Sequence, residues 1–307
     1  MACWDVYFEL KDLAVRACKE NYLEINDTEL CWFEWGEKDP AEETIFLIHA
    51  TGFHARCWDQ TIKYLGDEHI IAIDLRGHGR SKNKGPFGWD QFGADVTALV
   101  NSLDLNEVVG VGHSMGGHAL SQTMAHEPGR FKRAVLVDPV IMDPEFYVQA
   151  GSPHENFIIE GGGHPVARRR NQFADAQAMF DNFEGRGSYS TWLKESLQDY
   201  CEYGLVPDPQ GLGFNLACPP EVEAAIYMGN SSVDIHELVE KITIPVTVLR
   251  AQQRESESTE LDFSKSPTWT GLADLFGNGR DVYLPQLTHF MPNQNPQLVA
   301  EFILGKR

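Results

Sequence analysis

The sequence predicts an α/β protein: a mostly parallel central sheet flanked by helices, with a mainly helical lid inserted after the sixth strand. Three observations predict it. Short, continuous apolar runs alternate with helical stretches, a glycine-flanked serine joins one such run to a helix, and the alternation lapses between about residues 140 and 233 before resuming. Continuous apolar runs separated by helices are what a parallel sheet buried on both faces requires.

Taken in chain order, the first twenty residues form a leader, read as a short helix. Asp5, Glu9, Lys11, Asp12 and Arg16 interrupt its apolar residues, which is the pattern of neither a secretory signal nor a membrane span, so a cytoplasmic location is expected. Residues 22–35 alternate apolar and polar side chains around Asn26-Asp27, as two strands joined by a turn would. The runs 44–49, 70–74, 108–112, 134–138, 246–250 and 281–284 are the expected core strands. Between the fourth and fifth of these, Gly161-Gly162-Gly163, helices predicted over 167–184 and 191–204, and loops rich in Pro and Gly replace the alternation. The chain thus divides into a core of residues 1–139 and 236–307 and a lid of residues 140–235. Function gathers in loops at the carboxyl ends of parallel strands, and the lid is expected to cover that edge.

A chain of 307 residues, 42% hydrophobic and 23% charged, buries a substantial core without staples. The net charge of −20 opposes binding to a phosphate backbone and insertion into anionic membranes, so neither nucleic acid nor membrane is an expected partner. Such a charge serves solubility, or a saline environment in which counterions screen self-repulsion. Cys3, Cys18, Cys31, Cys57, Cys201 and Cys218 follow no paired spacing, which predicts reduced thiols and neither a zinc site nor a disulfide framework.

The chemistry gathers at Gly112-His113-Ser114-Met115-Gly116, which follows the apolar run 108–111 and precedes a helix-compatible stretch. A strand, a sharp turn and a helix lift a serine oxygen above the sheet edge, and the turn is so tight that its neighbours are glycines. With this motif in that context, the chain from residue 22 onward resembles the α/β-hydrolase superfamily. His49-Ala50-Thr51-Gly52-Phe53 resembles the oxyanion loop of such enzymes, and Asp74-Leu75-Arg76-Gly77-His78-Gly79-Arg80-Ser81 the turn after their fourth strand.

The resemblance implies Ser114 as nucleophile and His289, just past the last apolar run, as general base. It also implies that the N–H groups of Phe53 and Met115 form the oxyanion hole, with Ala50 standing where glycine is usual. Two places could supply the triad acid: Asp138, at the end of the 134–138 run, or Glu255, in the loop after 246–250, where the usual position is Arg254 and Glu257 lies close by. His54, His113 and Trp58 are expected to line the substrate pocket, with Cys57, His78 and His118 near it. Arg168-Arg169-Arg170 is either a solvated surface or a binder of substrate carboxylate. Phe146, Phe173, Met179, Phe180, Trp192 and Tyr227 are expected to pack the lid.

The expected activity is cleavage of small to medium carboxylic esters with water, with no metal or organic cofactor. Lactonase, thioesterase, amidase, perhydrolase and C–C hydrolase activities could use the same residues. A sensor that binds a small molecule without turnover is the alternative from another class.

Overall fold

The computed structural model describes residues 16–39, 42–148, 163–229, 233–254 and 262–307. The predicted leader up to residue 15, Cys3, Gly161, Gly162, Glu255 and Glu257 lie outside the described residues.

An eight-stranded sheet forms the centre. Its strands are β1 (Lys19–Ile25), β2 (Thr28–Trp35), β3 (Thr44–Ile48), β4 (His69–Asp74), β5 (Val108–His113), β6 (Phe131–Val137), β10 (Pro245–Ala251) and β11 (Asn278–Leu284), in the order β1-β2-β4-β3-β5-β6-β10-β11. The hairpin β1–β2 turns at Asn26 and Asp27, where Asn26 takes a φ of 54°, and β2 runs antiparallel to β4. Every pair from β4 to β11 is parallel.

The continuous apolar runs follow from burial on both faces. Successive residues of β3, β4, β6 and β10 point to opposite sides, so that Phe46, Ile48, Ile71, Ile73, Leu136 and Val248 join one apolar cluster. Ile45, Leu47, Ile70, Ala72, Val135 and Leu249 join the other. The helices Trp89–Ser102 and Met115–His126 cover the first face through Phe92, Val96, Leu99, Ala119, Leu120 and Met124. The helix Pro296–Ile303 covers the second through Val299, Ala300 and Ile303. At the edge, β11 carries exposed Asn278, Arg280 and Asp281, charged and polar groups that discourage further strand pairing.

Between β6 and β10 the chain builds a separate layer. A three-stranded sheet of β7 (Gln172–Phe173), β8 (Leu205–Pro207) and β9 (Phe214–Leu216), in the order β7-β9-β8, packs with the helices Ala176–Phe183 and Lys194–Tyr203. Phe173, Met179, Phe180, Trp192, Leu197 and Tyr200 form its apolar cluster, into which Ala50, Phe53 and Cys57 project from the loop after β3.

The helix predicted over 167–184 is broken, and the break has local causes. The turn Pro165–Arg168 ends where Arg169 becomes extended (φ −67°, ψ 152°), and Phe173 then pairs with Phe214. A new helix starts only after Asp175, whose side chain accepts the Ala178 N–H at 2.8 Å as an N-cap. The second helix is shorter than predicted, Lys194–Tyr203, because residues 187–191 form a separate 3₁₀ turn. Cys18, Cys31, Cys57, Cys201 and Cys218 are free thiols. Among the described residues no helix is long and apolar enough to cross a membrane, and no group of three or more His, Cys, Asp and Glu side chains is placed to hold a metal ion.

Candidate active site

The residues singled out from the sequence meet at the carboxyl ends of the parallel strands. Ser114 follows β5, Asp138 follows β6, the loop 49–53 follows β3, and His289 follows β11. Ser114 takes φ 57° and ψ −119°, a conformation that costs a side-chain-bearing residue on the order of 1–3 kcal/mol. The surroundings hold it there. Its N–H donates to the Val137 carbonyl at 3.1 Å, and its own carbonyl accepts from Gly117 at 3.0 Å and Val140 at 3.1 Å. A methyl group at Gly112 would stand 2.5 Å from the Gly116 carbonyl oxygen, and one at Gly116 would stand 2.5 Å from that of Ile48, so neither position two residues from the serine admits a side chain without a backbone shift.

A hydrogen-bonded relay runs from this serine. Ser114 Oγ lies 3.0 Å from His289 Nε2, and His289 Nδ1 lies 2.6 Å from Asp138 Oδ2. The carboxylate can only accept, so Nδ1 carries the proton and the Nε2 lone pair faces the serine. Asp138 is fully buried, and its second oxygen accepts from Ala251 N–H at 2.9 Å, Ser266 Oγ at 2.5 Å and Thr268 Oγ1 at 3.3 Å. These donors offset the cost of burying its charge. Asp138 also sits at φ 46°, pinned by its N–H donating to Leu249 at 2.7 Å. The backbone of His289 is fixed from two sides, by its N–H donating to Ser264 at 2.7 Å and its carbonyl accepting from His113 Nε2 at 2.8 Å. The competing candidate acid, Glu255, lies outside the described residues.

The oxyanion loop departs from expectation at one atom. The Phe53 N–H is already spent on the Ala50 carbonyl at 3.1 Å, and the Gly52 N–H on His78 Nε2 at 3.0 Å. Phe53 therefore contributes its ring to the site and not its amide. The Thr51 N–H has no acceptor among the described residues, and the Thr51 hydroxyl touches Met115 Sδ at 3.4 Å. Met115, at the start of its helix, likewise has an N–H with no acceptor among the described residues. Sequence reasoning did not single out Thr51, because which loop N–H keeps a partner depends on the fold of the loop and no residue type signals it.

The histidines around the relay are locked as neutral rings. Burial pushes His113 down to about 3, with the neighbouring His289 adding to the shift, and pushes His54 to about 3 and His78 to about 4. His54 donates to the Tyr200 carbonyl at 3.1 Å, and Trp58 packs edge-on against His113 with centroids 6.4 Å apart. None of His54, Trp58 and His113, expected to line the pocket, is in the wall of the cavity above Ser114: all three are buried, His54 and His113 behind the wall residues Tyr200 and His289, and Trp58 behind His113.

That cavity measures about 550 Å³ and opens between the loop after β3 and the layer inserted after β6. Ser114, Thr51 and His289 lie in its wall beside Phe53, Trp192 and Phe290, whose ring centroids stand 5.4–6.0 Å apart. The wall also holds Arg169, Glu223, Tyr189, Tyr200 and Tyr227. Of the arginine run, Arg168 and Arg170 are exposed and only Arg169 enters the cavity, where its Nη1 donates to Glu223 Oε2 at 2.6 Å. Of the six residues expected mainly to pack the lid, with some of them facing the pocket, Trp192 and Tyr227 are in the cavity wall.

Comparisons with known proteins bear on the family and the fold. The model of the family described as "Alpha/beta hydrolase family" matches residues 45–302. The chain is 35% identical over 153 residues to a non-heme haloperoxidase of Rhodococcus erythropolis, a match covering 48% of the chain and spanning only about half (53%) of that relative. It is 25% identical over 294 residues to a bifunctional esterase/perhydrolase of Acinetobacter calcoaceticus, covering 89% of the chain and 93% of the relative. Among solved structures, that of E-2-(acetamidomethylene)succinate hydrolase superposes with a TM-score of 0.72 at 18% identity, over 94% of this chain and 98% of the other. At that identity the likeness is one of fold.

Proposed function

The chain belongs to the alpha/beta hydrolase family, and from that premise we propose that it is a serine hydrolase cleaving carboxylic esters of small to medium acyl groups through an acyl-enzyme. The observation that carries this reading is the relay from Ser114 Oγ to His289 Nε2 at 3.0 Å and from His289 Nδ1 to Asp138 at 2.6 Å. In this reading His289 takes the Ser114 proton while the serine oxygen attacks the ester carbonyl. The N–H groups of Thr51 and Met115 stabilise the tetrahedral oxyanion, and buried Asp138 stabilises the imidazolium. His289 then returns the proton to the departing alcohol, and a water deprotonated by the same ring cleaves the acyl-serine. Residues 140–235 act as the lid that bounds the acyl pocket. The five cysteines among the described residues are free thiols, which supports a reducing, cytoplasmic setting.

A second reading has its own support in the names of the two relatives: hydrogen peroxide in place of water would turn the same acyl-enzyme into a peracid. Release of p-nitrophenol from the acetate and butyrate esters, beside Ser114→Ala, tests the core proposal. We expect turnover with both esters and a fall to background in the variant. Release that survives the substitution overturns the serine mechanism, and no release from either ester favours a ligand-binding role.

A further inference from the structure

Glu223 is 5% exposed yet lines the cavity, in the first turn of the helix Pro220–Gly229. One of its oxygens, Oε2, accepts from Arg169 Nη1 at 2.6 Å. The other, Oε1, accepts no hydrogen bond among the described residues. A carboxylate has about four acceptor positions, and a buried ion pair offsets its desolvation only when the remaining ones are filled. Arg169 is held from behind, its Nη2 donating to the Tyr200 hydroxyl at 3.0 Å and the Tyr189 hydroxyl at 3.4 Å. Its charge is thus committed to Glu223, and an anionic substrate group reaching this wall would meet the carboxylate. What the wall offers is an acceptor.

The position of that acceptor decides what it reads. A methyl group built at Gly52 would lie 2.5 Å from Glu223 Oε1, so this oxygen sits directly beside the oxyanion loop, one residue from Thr51. We propose that Glu223 is a specificity residue that accepts a hydrogen bond from a hydroxyl or amide N–H on the first or second carbon beyond the ester carbonyl, so that hydroxy and acylamino esters are the preferred substrate class. The inference rests on the reading of Ser114 as an ester-cleaving nucleophile.

The test compares kcat/KM, by pH-stat, for esters that differ only in the donor. The pairs are methyl 2-hydroxypropanoate and methyl 2-methylpropanoate, methyl 3-hydroxybutanoate and methyl 3-methylbutanoate, and methyl N-acetylalaninate and its N-methylated form. At least one pair should favour the donor by about tenfold or more, because a site built to bond a hydroxyl or N–H rejects the analogue lacking it. In Glu223→Gln the amide oxygen turns to Arg169 and puts an NH₂ donor where Oε1 stood; the N–H of the acylamino ester loses its acceptor, so that ratio should fall to within about twofold of unity, while a hydroxyl can turn round and accept, so a hydroxy ratio should fall several-fold without vanishing. Circular dichroism melting of the variant confirms that it folds. Hydrolysis without preference in all three pairs, or a preference left unchanged in folded Glu223→Gln, overturns the proposal and leaves the esterase reading intact. Hydrolysis of none of the six esters by a protein that also leaves p-nitrophenyl acetate uncleaved overturns both.

Discussion

Asp138 and Thr51 are the residues at which the mechanism is most exposed to test. Asp138 fixes the His289 tautomer through a 2.6 Å bond, while three other donors hold the carboxylate in place. Asp138→Asn would keep the shape and present an NH₂ to Nδ1, forcing the tautomer whose Nε2 proton faces Ser114; kcat should fall by about 10⁴-fold, with KM little changed. Steady-state kinetics on p-nitrophenyl butyrate decide it, and retention of wild-type kcat would return the acid to another residue. Replacing Thr51 by its α-hydroxy acid removes only an N–H and should cost about 10²- to 10³-fold in kcat, whereas the same exchange at Phe53, whose N–H serves a turn, should cost far less. Ser114, His289 and Asp138 could be named in advance because strand, turn and helix order leaves one place for each. Ser266 and Thr268 could not, since they brace Asp138 from 128 and 130 residues further along the chain, and no local pattern records so distant a contact.

At the scale of elements, the inner strands were readable because they bury both faces and so write continuous apolar runs, as β3, β4 and β5 do without a single exposed residue. The inserted layer was not, because its helices and two- or three-residue strands are too short to impose a period: the break at Arg169 and the cap at Asp175 decide the structure where hydrophobicity alone suggested one long helix. How this layer meets the core gives a further prediction. Gln60, in the helix Asp59–Ile62, donates to Asp199 in the helix Lys194–Tyr203 at 2.6 Å. Burial pushes the Asp199 carboxyl up to about 7, with the Gln60 hydrogen bond opposing and the nearby Asp59 adding to the rise. The folded protein therefore holds a proton that an unfolded carboxyl, titrating near about 3.9, would release, so this group's contribution to stability falls as pH rises from about 4 through 7. Asp199→Asn keeps an acceptor for Gln60 without a charge to bury. Its urea midpoint should exceed the wild type's at pH 8 by the equivalent of about 1 kcal/mol, a figure reduced for partial exposure, and the advantage should vanish near pH 4. A constant difference across that range would show that Asp199 is ionised in both states.

At the scale of the whole molecule, 45 acidic against 25 basic side chains leave a surplus of 20 negative charges that fold and site do not require. Local pairs relieve part of the load: Arg76 joins Asp95 and Asp27, Arg250 joins Asp281, and Lys132 joins Glu107. The surplus remains as mutual repulsion that compaction intensifies and unfolding relaxes. Raising ionic strength from about 0.01 to 1 M shortens the screening length from roughly 30 to 3 Å, so salt should stabilise this protein by weakening that repulsion. Salting-out would also raise Tm, and pH separates the two causes. Near the sequence pI of about 4.9 the surplus is cancelled by protonation, and only the non-specific part of the gain survives. Thermal melts in low and molar NaCl should therefore show a clearly larger rise in Tm at pH 8 than at pH 5. Equal rises would assign the effect to solvent exclusion, and no rise at pH 8 would mean that the surplus charge lies far enough apart on the surface to cost the fold nothing.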